Sequence, residues 1–246
     1  MALLLAQSLL EKRGFDAKHQ MGQYLSWWRW GYMSSTGECF DIGMTTSTAL
    51  ARYEDSGEPF SGPTSADTAG NGSIMRLAPI VLYFHPALER VVDYAARSSR
   101  TTHGADEAVD CCRLLAIALS NALSGLPKDR LMDGAMPFLK TDKVQAIATS
   151  TLSDKPVTAI RGSGYAVHSL EASLWCLQTT NSLADAVLAA ANLGDDADTT
   201  AAITGQLAGA YYGASAIPED WLAQLYMGKE IRELARRLYQ AATAVL

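Results

Sequence analysis

A cluster of acidic residues in the last quarter of the chain has the residue types and spacing of a cation site. In NLGDDADTTAAITGQLAGAYYG, residues 192–213, Asp195, Asp196 and Asp198 precede an apolar run, with no Lys or Arg in the segment. Carboxylates at a helix start can accept its unpaired N–H groups. Three aspartates exceed that need, and with Thr199 they offer oxygen donors suited to Mg²⁺ or Mn²⁺ rather than zinc. Helix capping and metal binding both remain open.

The segments that must position these acids show helical periodicity. Ser182 and Asp185 form a capping pattern at one helix start, and Asp106 and Glu107 fall in the first turn of another. Strand-like alternation is nearly absent, and its best candidate is VLYF at 81–84. The sequence therefore predicts an all-α fold. The predicted helices cover residues 1–14, 107–123, 182–192, 200–213 and 230–245.

Glycine and polar residues add two further predictions. Gly205, Gly209 and Gly213 recur at four-residue spacing. This spacing predicts a central buried helix with a stripe that has no side chains, against which another helix can pack closely. Residues 31–48 and 55–73 are rich in Gly, Ser, Thr and Pro. They are too polar for a core and too long for plain connectors, so we expect them to form a site.

Composition excludes several classes of protein. The 246 residues carry a net charge of −6, with scattered Lys and Arg, so neither a nucleic-acid nor a membrane partner is expected. The four cysteines form no CxxC pair, and the apolar start lacks the basic region of a secretory signal. We expect a cytoplasmic protein with reduced thiols.

The acidic segment resembles the C-terminal metal motif of the ADP-ribosylglycohydrolases, in the branch that looks like dinitrogenase-reductase-activating glycohydrolase. The blocks FDIGMTT, GNGSIMRLAPI, SSRTTH and GSGYAVHSLEASLWCL are similar to family blocks and follow in family order. The resemblance covers residues 1–246 and implies a compact, single-domain orthogonal helical bundle. It further implies hydrolysis of the bond between ADP-ribose and an acceptor, with ADP-ribosyl-arginine expected first, and a pair of Mg²⁺ or Mn²⁺ ions. The implied partners are ADP-ribose and an ADP-ribosylated protein or small molecule.

The resemblance also implies roles for individual residues. Asp196, Asp198 and Thr199 are implied metal ligands, and Asp41 resembles an acid that assists proton transfer. The implied ADP-ribose contacts are Gly43, Thr45, Asn71, Gly72, Ser73, Met75, His103, Gly162, Ser163, Gly164 and Tyr165.

Several of these residues keep a structural alternative. Asp41 could equally cap a turn, and for Arg76 we favour a structural role in which it pairs with an acid in the core. Tyr165 fits an aromatic contact to the adenine or ribose, whereas His168 is not expected to be catalytic. Trp27, Trp28 and Trp30 are expected to serve packing or an interface, since no basic groove surrounds them.

In the family pattern, a further helix and a Thr-Asp-Asp motif precede the segment that starts at Met1 here. This sequence lacks both. The helix of residues 1–14 also starts without a capping side chain. We therefore expect a truncated chain that binds one metal ion or none and has reduced activity, with exposed apolar surface near residues 1–10. The alternatives are an ADP-ribose-binding relative without turnover and, less favoured, a structural relative with an empty pocket.

Overall fold

The computed structural model describes residues 1–243, of which residues 1–242 have described side chains. Within this range the chain forms twelve α-helices, joined by loops and 3-10 turns, and the prediction of an all-α fold is confirmed. The helices are α1 Ala2–Lys12, α2 Ala17–Trp30, α3 Met44–Ser56, α4 Ala78–Phe84, α5 Leu88–Arg100, α6 Asp106–Leu123, α7 Asp142–Thr149, α8 Ala166–Thr179, α9 Leu183–Ala191, α10 Ala197–Tyr212, α11 Glu219–Gln224 and α12 Gly228–Thr243.

Local signals in the sequence place several helix ends correctly. The Ser182 side chain accepts a hydrogen bond from the Asp185 backbone N–H at the start of α9, as the capping pattern predicts. Asp106 and Glu107 occupy the first turn of α6. The helix predicted at the start of the chain forms as α1, without a side-chain cap hydrogen bond at Met1. The helix predicted to reach residue 245 is described as far as Thr243, and its last residues lie outside the described range.

The strand candidate at 81–84 is wrong, because these residues form the end of α4. β-Branched and aromatic residues favour a strand in isolation. Here Pro79 lies in the first turn of a helix, and Ile80, Val81 and Phe84 are buried against neighbouring helices. Tertiary packing therefore overrides the local preference.

The helix surrounded on all sides is α6, which packs against α4, α5, α7, α8 and α10. By contrast, α10 buries one face, through Thr200, Ile203, Thr204 and Leu207, and leaves Ala202 exposed. The expectation that 200–213 is the central helix is therefore corrected: α10 lies on α6, α8 and α9. This packing places the N-terminus of α10, with its acids, beside the loops that precede α3 and α4.

The close-packing glycine stripe is also wrong. A Cβ built on Gly205 would lie 3.9 Å from Val187 Cγ2, which is ordinary contact, and one built on Gly209 would meet no atom within 4 Å. Gly213 lies beyond the end of α10, where its φ of +82° favours glycine. These glycines are not required by a tight helix crossing.

The two predicted loops are only partly loops. Residues 31–43 are irregular, but Met44 to Thr48 belong to α3. Residues 57–73 contain short 3-10 turns, and Gly70 forms an isolated antiparallel bridge with Tyr165. No α-helix among residues 1–243 is both long enough and apolar enough to cross a bilayer.

Candidate functional site

A cavity of about 720 Å³ lies where the 31–43 loop, the 70–76 segment and the start of α10 meet. Its walls include most of the residues assigned to the site by resemblance. Those that line it are Asp41, Gly43, Thr45, Asn71, Gly72, Met75, His103, Gly164, Asp196, Asp198 and Thr199.

One wall of this cavity is held together by hydrogen bonds between three segments distant in sequence. Asn71 donates from its backbone N–H to the Gly164 carbonyl at 3.0 Å, and Asp196 donates from its own to the Gly162 carbonyl at 2.8 Å. The Asn71 side-chain Nδ2 donates to Asp196 Oδ2 at 2.7 Å and to Ser169 Oγ at 2.8 Å. Asn71 is buried, so these bonds fix the orientation of the Asp196 carboxylate.

The Asp196 carboxylate does not cap α10, although Asp196 stands at the N-cap position. Its Oδ2 accepts from Asn71 instead, and Asp198 is exposed in the first helical turn. Capping, one of the two interpretations of these acids, therefore does not account for the Asp196 side chain. Asp195 takes a left-handed conformation with φ of 53° and does not line the cavity.

The donor set at the start of α10 is suited in type to a hard cation. Asp196, Asp198 and Thr199 offer two carboxylates and a hydroxyl to one cavity, which fits part of the coordination of a single Mg²⁺ or Mn²⁺ ion. Residues 1–242 contain no cluster of three or more His, Cys, Asp or Glu side chains that could hold a metal.

Asp41 lines the same cavity from the loop that leads into α3. It is exposed and has a φ of 48°, a left-handed conformation that aspartate tolerates better than most residues. Gly43, the N-cap residue of α3, and Thr45 in its first turn line the cavity beside it. Phe40 and Met44 also line it and are 50% and 84% exposed, so this rim is apolar around one carboxylate.

His103 is a buried, neutral histidine in the cavity wall. Burial, followed by the charge of Arg76, lowers its pKa to about 3. Its Nδ1 lies 2.8 Å from Thr102 Oγ1, and that hydroxyl accepts from Arg76 Nη2. We assign the Thr102 proton to this bond, an assignment that places the ring proton on Nε2. His103 can donate to a ligand oxygen but carries no positive charge at neutral pH.

Arg76 is structural, but the predicted pairing with an acid is wrong. It is 3% exposed, and no carboxylate within residues 1–242 forms a salt bridge with it. Its guanidinium donates to the Gly72 carbonyl at 3.1 Å and to Thr102, and its Cζ lies 4.8 Å from the centre of the Tyr24 ring. It braces the 72–76 segment against the residues before His103.

Four residues assigned by resemblance lie outside the main cavity. Ser73 is buried beneath it and accepts a hydrogen bond from Ser99 Oγ at 3.1 Å. Gly162 contributes its carbonyl to Asp196, and Ser163 Oγ lies 2.9 Å from His168 Nδ1. Tyr165 lines a separate cavity of about 460 Å³.

The sequence did not point to two residues of this second cavity, and it did not predict that Trp27 lines the main cavity. Glu107 and Lys143 line the second cavity with Tyr165, although Glu107 carried only a helix-dipole signal in the sequence. Trp27, expected to serve packing or an interface, is buried but also lines the main cavity, whereas Trp30 is 75% exposed. Nothing in the local sequence distinguishes these positions from ordinary core and surface residues.

Comparisons with known proteins give matches over nearly the whole chain. A family model described as ADP-ribosylglycohydrolase matches residues 1–245. The ADP-ribosylarginine hydrolase Tri1 of Pseudomonas putida (strain GB-1) is 40% identical over 245 residues, which cover 100% of this chain and 66% of that protein. The ADP-ribosyl-(dinitrogen reductase) glycohydrolase of Rhodospirillum rubrum is 27% identical over 97% of this chain and 75% of its own length.

A solved structure supports the same relationship. It is described as an ADP-ribosylglycohydrolase-related protein complex and superposes with a TM-score of 0.82 at 40% identity. The match covers 98% of this chain and 79% of that chain. The chain spans 66% of the length of each of the two Tri1 relatives, just under two thirds.

Proposed function

Because this chain belongs to the ADP-ribosylglycohydrolase family, we propose that it hydrolyses the bond between ADP-ribose and an arginine acceptor. The products are free ADP-ribose and the unmodified guanidine. The arginine acceptor is supported by the relatives named ADP-ribosylarginine hydrolase, at 38–40% identity. The observation that carries the proposal is the hydrogen bond from Asn71 to Asp196, which orients one carboxylate in a cavity shared with Asp198, Thr199 and Asp41.

The charges of the cavity support a metal requirement. Among the described residues, Asp41, Asp196 and Asp198 line it, and Arg76 is the single Lys or Arg that does so. The guanidinium of Arg76 is already bonded to Gly72 and Thr102. A diphosphate entering this cavity meets three carboxylates, so its binding needs additional positive charge. Bound Mg²⁺ or Mn²⁺ supplies that charge and Lewis acidity, and Asp196, Asp198 and Thr199 would hold it.

Residues of the chain itself bind the ligand and transfer the proton. Gly43, Gly72 and Gly164 bring backbone close to the ligand, and His103 donates from Nε2 to a phosphate or ribose oxygen. In the reaction, the bond from the anomeric carbon to the guanidine nitrogen breaks and a water oxygen bonds to that carbon. Asp41, which lines the cavity, gives a proton to the departing nitrogen and regains one from the water.

A second candidate is an ADP-ribose-binding protein without turnover. It is favoured by the small donor set, since no cluster of three or more metal-binding side chains occurs in the described part of the chain. Such a protein would bind ADP-ribose through the same glycine-lined wall and would release none from a modified acceptor.

The test is release of free ADP-ribose from an ADP-ribosyl-arginine peptide, with Mg²⁺ or Mn²⁺ and with EDTA. We expect metal-dependent release that falls about 100-fold or more in Asp196→Asn and Asp198→Asn, because each change removes a proposed metal ligand. Asp195→Asn is the matched control, since Asp195 is adjacent but lies outside the cavity. Absence of release with retained ADP-ribose binding would support the second candidate. Metal-independent release would contradict the role given to the two aspartates.

A further inference from the structure

The second cavity adjoins the main one. It has a volume of about 460 Å³ and shares Thr45, Gly70 and Gly164 with the main cavity, so these residues stand between the two. The second cavity therefore offers additional volume beside the main one for a ligand as long as ADP-ribose.

Three polar side chains from three different helices meet in this second cavity. The Tyr165 hydroxyl donates to Glu107 Oε2 and accepts from Lys143 Nζ at 2.9 Å. Lys143 Nζ also lies 3.1 Å from Glu107 Oε1. Glu107 is in the first turn of α6, Lys143 is in the first turn of α7, and Tyr165 is the N-cap residue of α8. We call these three side chains the Tyr165 cluster.

The Tyr165 ring is held at both ends. At the backbone end, Tyr165 bridges to Gly70, and the next residue, Ala166, donates its N–H to the Ala69 carbonyl at 2.9 Å. At the hydroxyl end, Glu107 and Lys143 fix the oxygen. Burial raises the pKa of the Tyr165 hydroxyl, and the bond to Glu107 raises it further, so the hydroxyl keeps its proton at neutral pH.

Stability alone does not explain this arrangement. The Lys143 side chain is 63% exposed, and an ion pair with so exposed a partner contributes little to folding. The pair also has no net charge, so it adds little attraction for a diphosphate. What the pair does fix is the orientation of a tyrosine ring in the wall of a cavity that continues the candidate site.

We infer that Glu107 and Lys143 are positioning residues, which hold the Tyr165 ring so that the purine of ADP-ribose can stack on it in the second cavity. The inference rests on the proposed function, because it takes ADP-ribose as the ligand. A ring fixed in advance loses little conformational entropy when a base binds, so freeing the ring weakens binding without removing a direct contact.

The experiment compares three ligands that share different parts of ADP-ribose. Dissociation constants are measured by calorimetry, or by competition for the weakest ligand, for ADP-ribose, AMP and ribose 5-phosphate. Lys143→Met and Glu107→Gln should each weaken ADP-ribose and AMP about three- to tenfold, a fraction of the loss for removing a base–aromatic stack. Ribose 5-phosphate lacks the base, so its affinity should not change.

A double-mutant cycle separates positioning from direct contact. Tyr165→Phe keeps the ring but removes the hydroxyl that Glu107 and Lys143 hold, so it should weaken ADP-ribose by a similar factor. In that background Lys143→Met should have a much smaller effect, limited to the loss of the contact between Lys143 Nζ and the ring, whose centre lies 5.2 Å away. Lys155→Met is the matched control, because Lys155 also pairs with a glutamate, Glu171, and lines neither cavity.

Three results for the variants would overturn the inference. They are equal weakening of ribose 5-phosphate, a full effect of Lys143→Met in the Tyr165→Phe background, and an equal effect of Lys155→Met. The second result would mean that Lys143 contacts the ligand itself. Because this test measures binding, it is independent of the release assay: binding without hydrolysis rejects the proposed hydrolase and leaves the positioning test intact. A wild-type chain that binds neither AMP nor ADP-ribose overturns the inference as well.

Discussion

At the scale of single residues, the packing of His103 requires a glycine at position 72. A Cβ on Gly72 would lie 2.9 Å from His103 Cε1 and 3.1 Å from its Nε2. The imidazole is buried and bonded to Thr102, so it has little room to move. The glycine thus lets the 70–76 segment approach the histidine closely enough for both to line the cavity.

We therefore expect Gly72→Ala to displace His103, to destabilise the fold by about 1–3 kcal/mol and to weaken ADP-ribose binding. Thermal unfolding and calorimetry would measure the two effects. Gly209→Ala is the matched control, since its Cβ meets nothing within 4 Å inside α10. That change should leave stability unchanged or raise it by about 0.5–1 kcal/mol. Equal behaviour of the two variants would contradict the contact with His103.

The buried His103 also makes stability depend on pH. Its pKa in the folded chain is about 3, whereas an exposed histidine titrates near 6.5. The unfolded chain therefore binds one more proton between these values, and stability falls as the pH drops below about 6.5. The slope from this group is about 1.4 kcal/mol per pH unit until the pH approaches 3.

Denaturant unfolding at a series of pH values from 7 to 4 would test this prediction. His103→Gln should lower stability at pH 7, because it disturbs the bond to Thr102. The free energy of unfolding of this variant should nevertheless fall less steeply with decreasing pH. The difference in slope should correspond to about one bound proton. Parallel curves for the two proteins would show that His103 is not the group responsible.

At the scale of elements, Asp110 joins α6 to the start of α7. Its buried carboxylate accepts from the backbone N–H groups of Lys140 at 2.6 Å and Thr141 at 2.7 Å. Its other oxygen accepts from Arg113 at 2.6 Å. These bonds satisfy free N–H groups ahead of α7, and α7 in turn carries Lys143 to the Tyr165 cluster.

Asp110→Ala should destabilise the protein by about 2–4 kcal/mol, because it leaves two N–H groups and the Arg113 guanidinium without their acceptor. Asp133→Ala is the comparison, since Asp133 pairs with Arg130 at 2.7 Å but both side chains are exposed. That change should cost about 0.5 kcal/mol or less. Chemical denaturation measures both, and similar losses would contradict the importance given to burial.

At the scale of the whole molecule, the donor set limits how much metal the chain can hold. Two octahedral ions present about twelve coordination positions, and Asp196, Asp198 and Thr199 fill few of them. We expect Mn²⁺ titrated by calorimetry to bind weakly and at one site at most. Asp198→Asn should abolish this binding and Asp195→Asn should not. Two tight sites per chain would contradict the limit.

The helices and the acidic motif were accessible from the sequence because their signals are local. The Ser182 cap and the acids of the first turn of α6 act within one turn of chain. The family resemblance likewise named eleven residues that line the main cavity. Local signals failed at 81–84, where burial decides between helix and strand, and at Gly205 and Gly209, where spacing alone does not say what packs against a helix.

The sequence by itself determined an all-α chain with a cluster of oxygen donors before α10. Only the tertiary structure decided what those donors touch. Asn71 and Asp196 are 125 residues apart, and Glu107 and Tyr165 are 58 apart. The low pKa of His103 likewise comes from burial and from Arg76, which lies elsewhere in the chain. Such pairings depend on how helices pack, whereas periodicity and capping depend only on neighbours within a few residues.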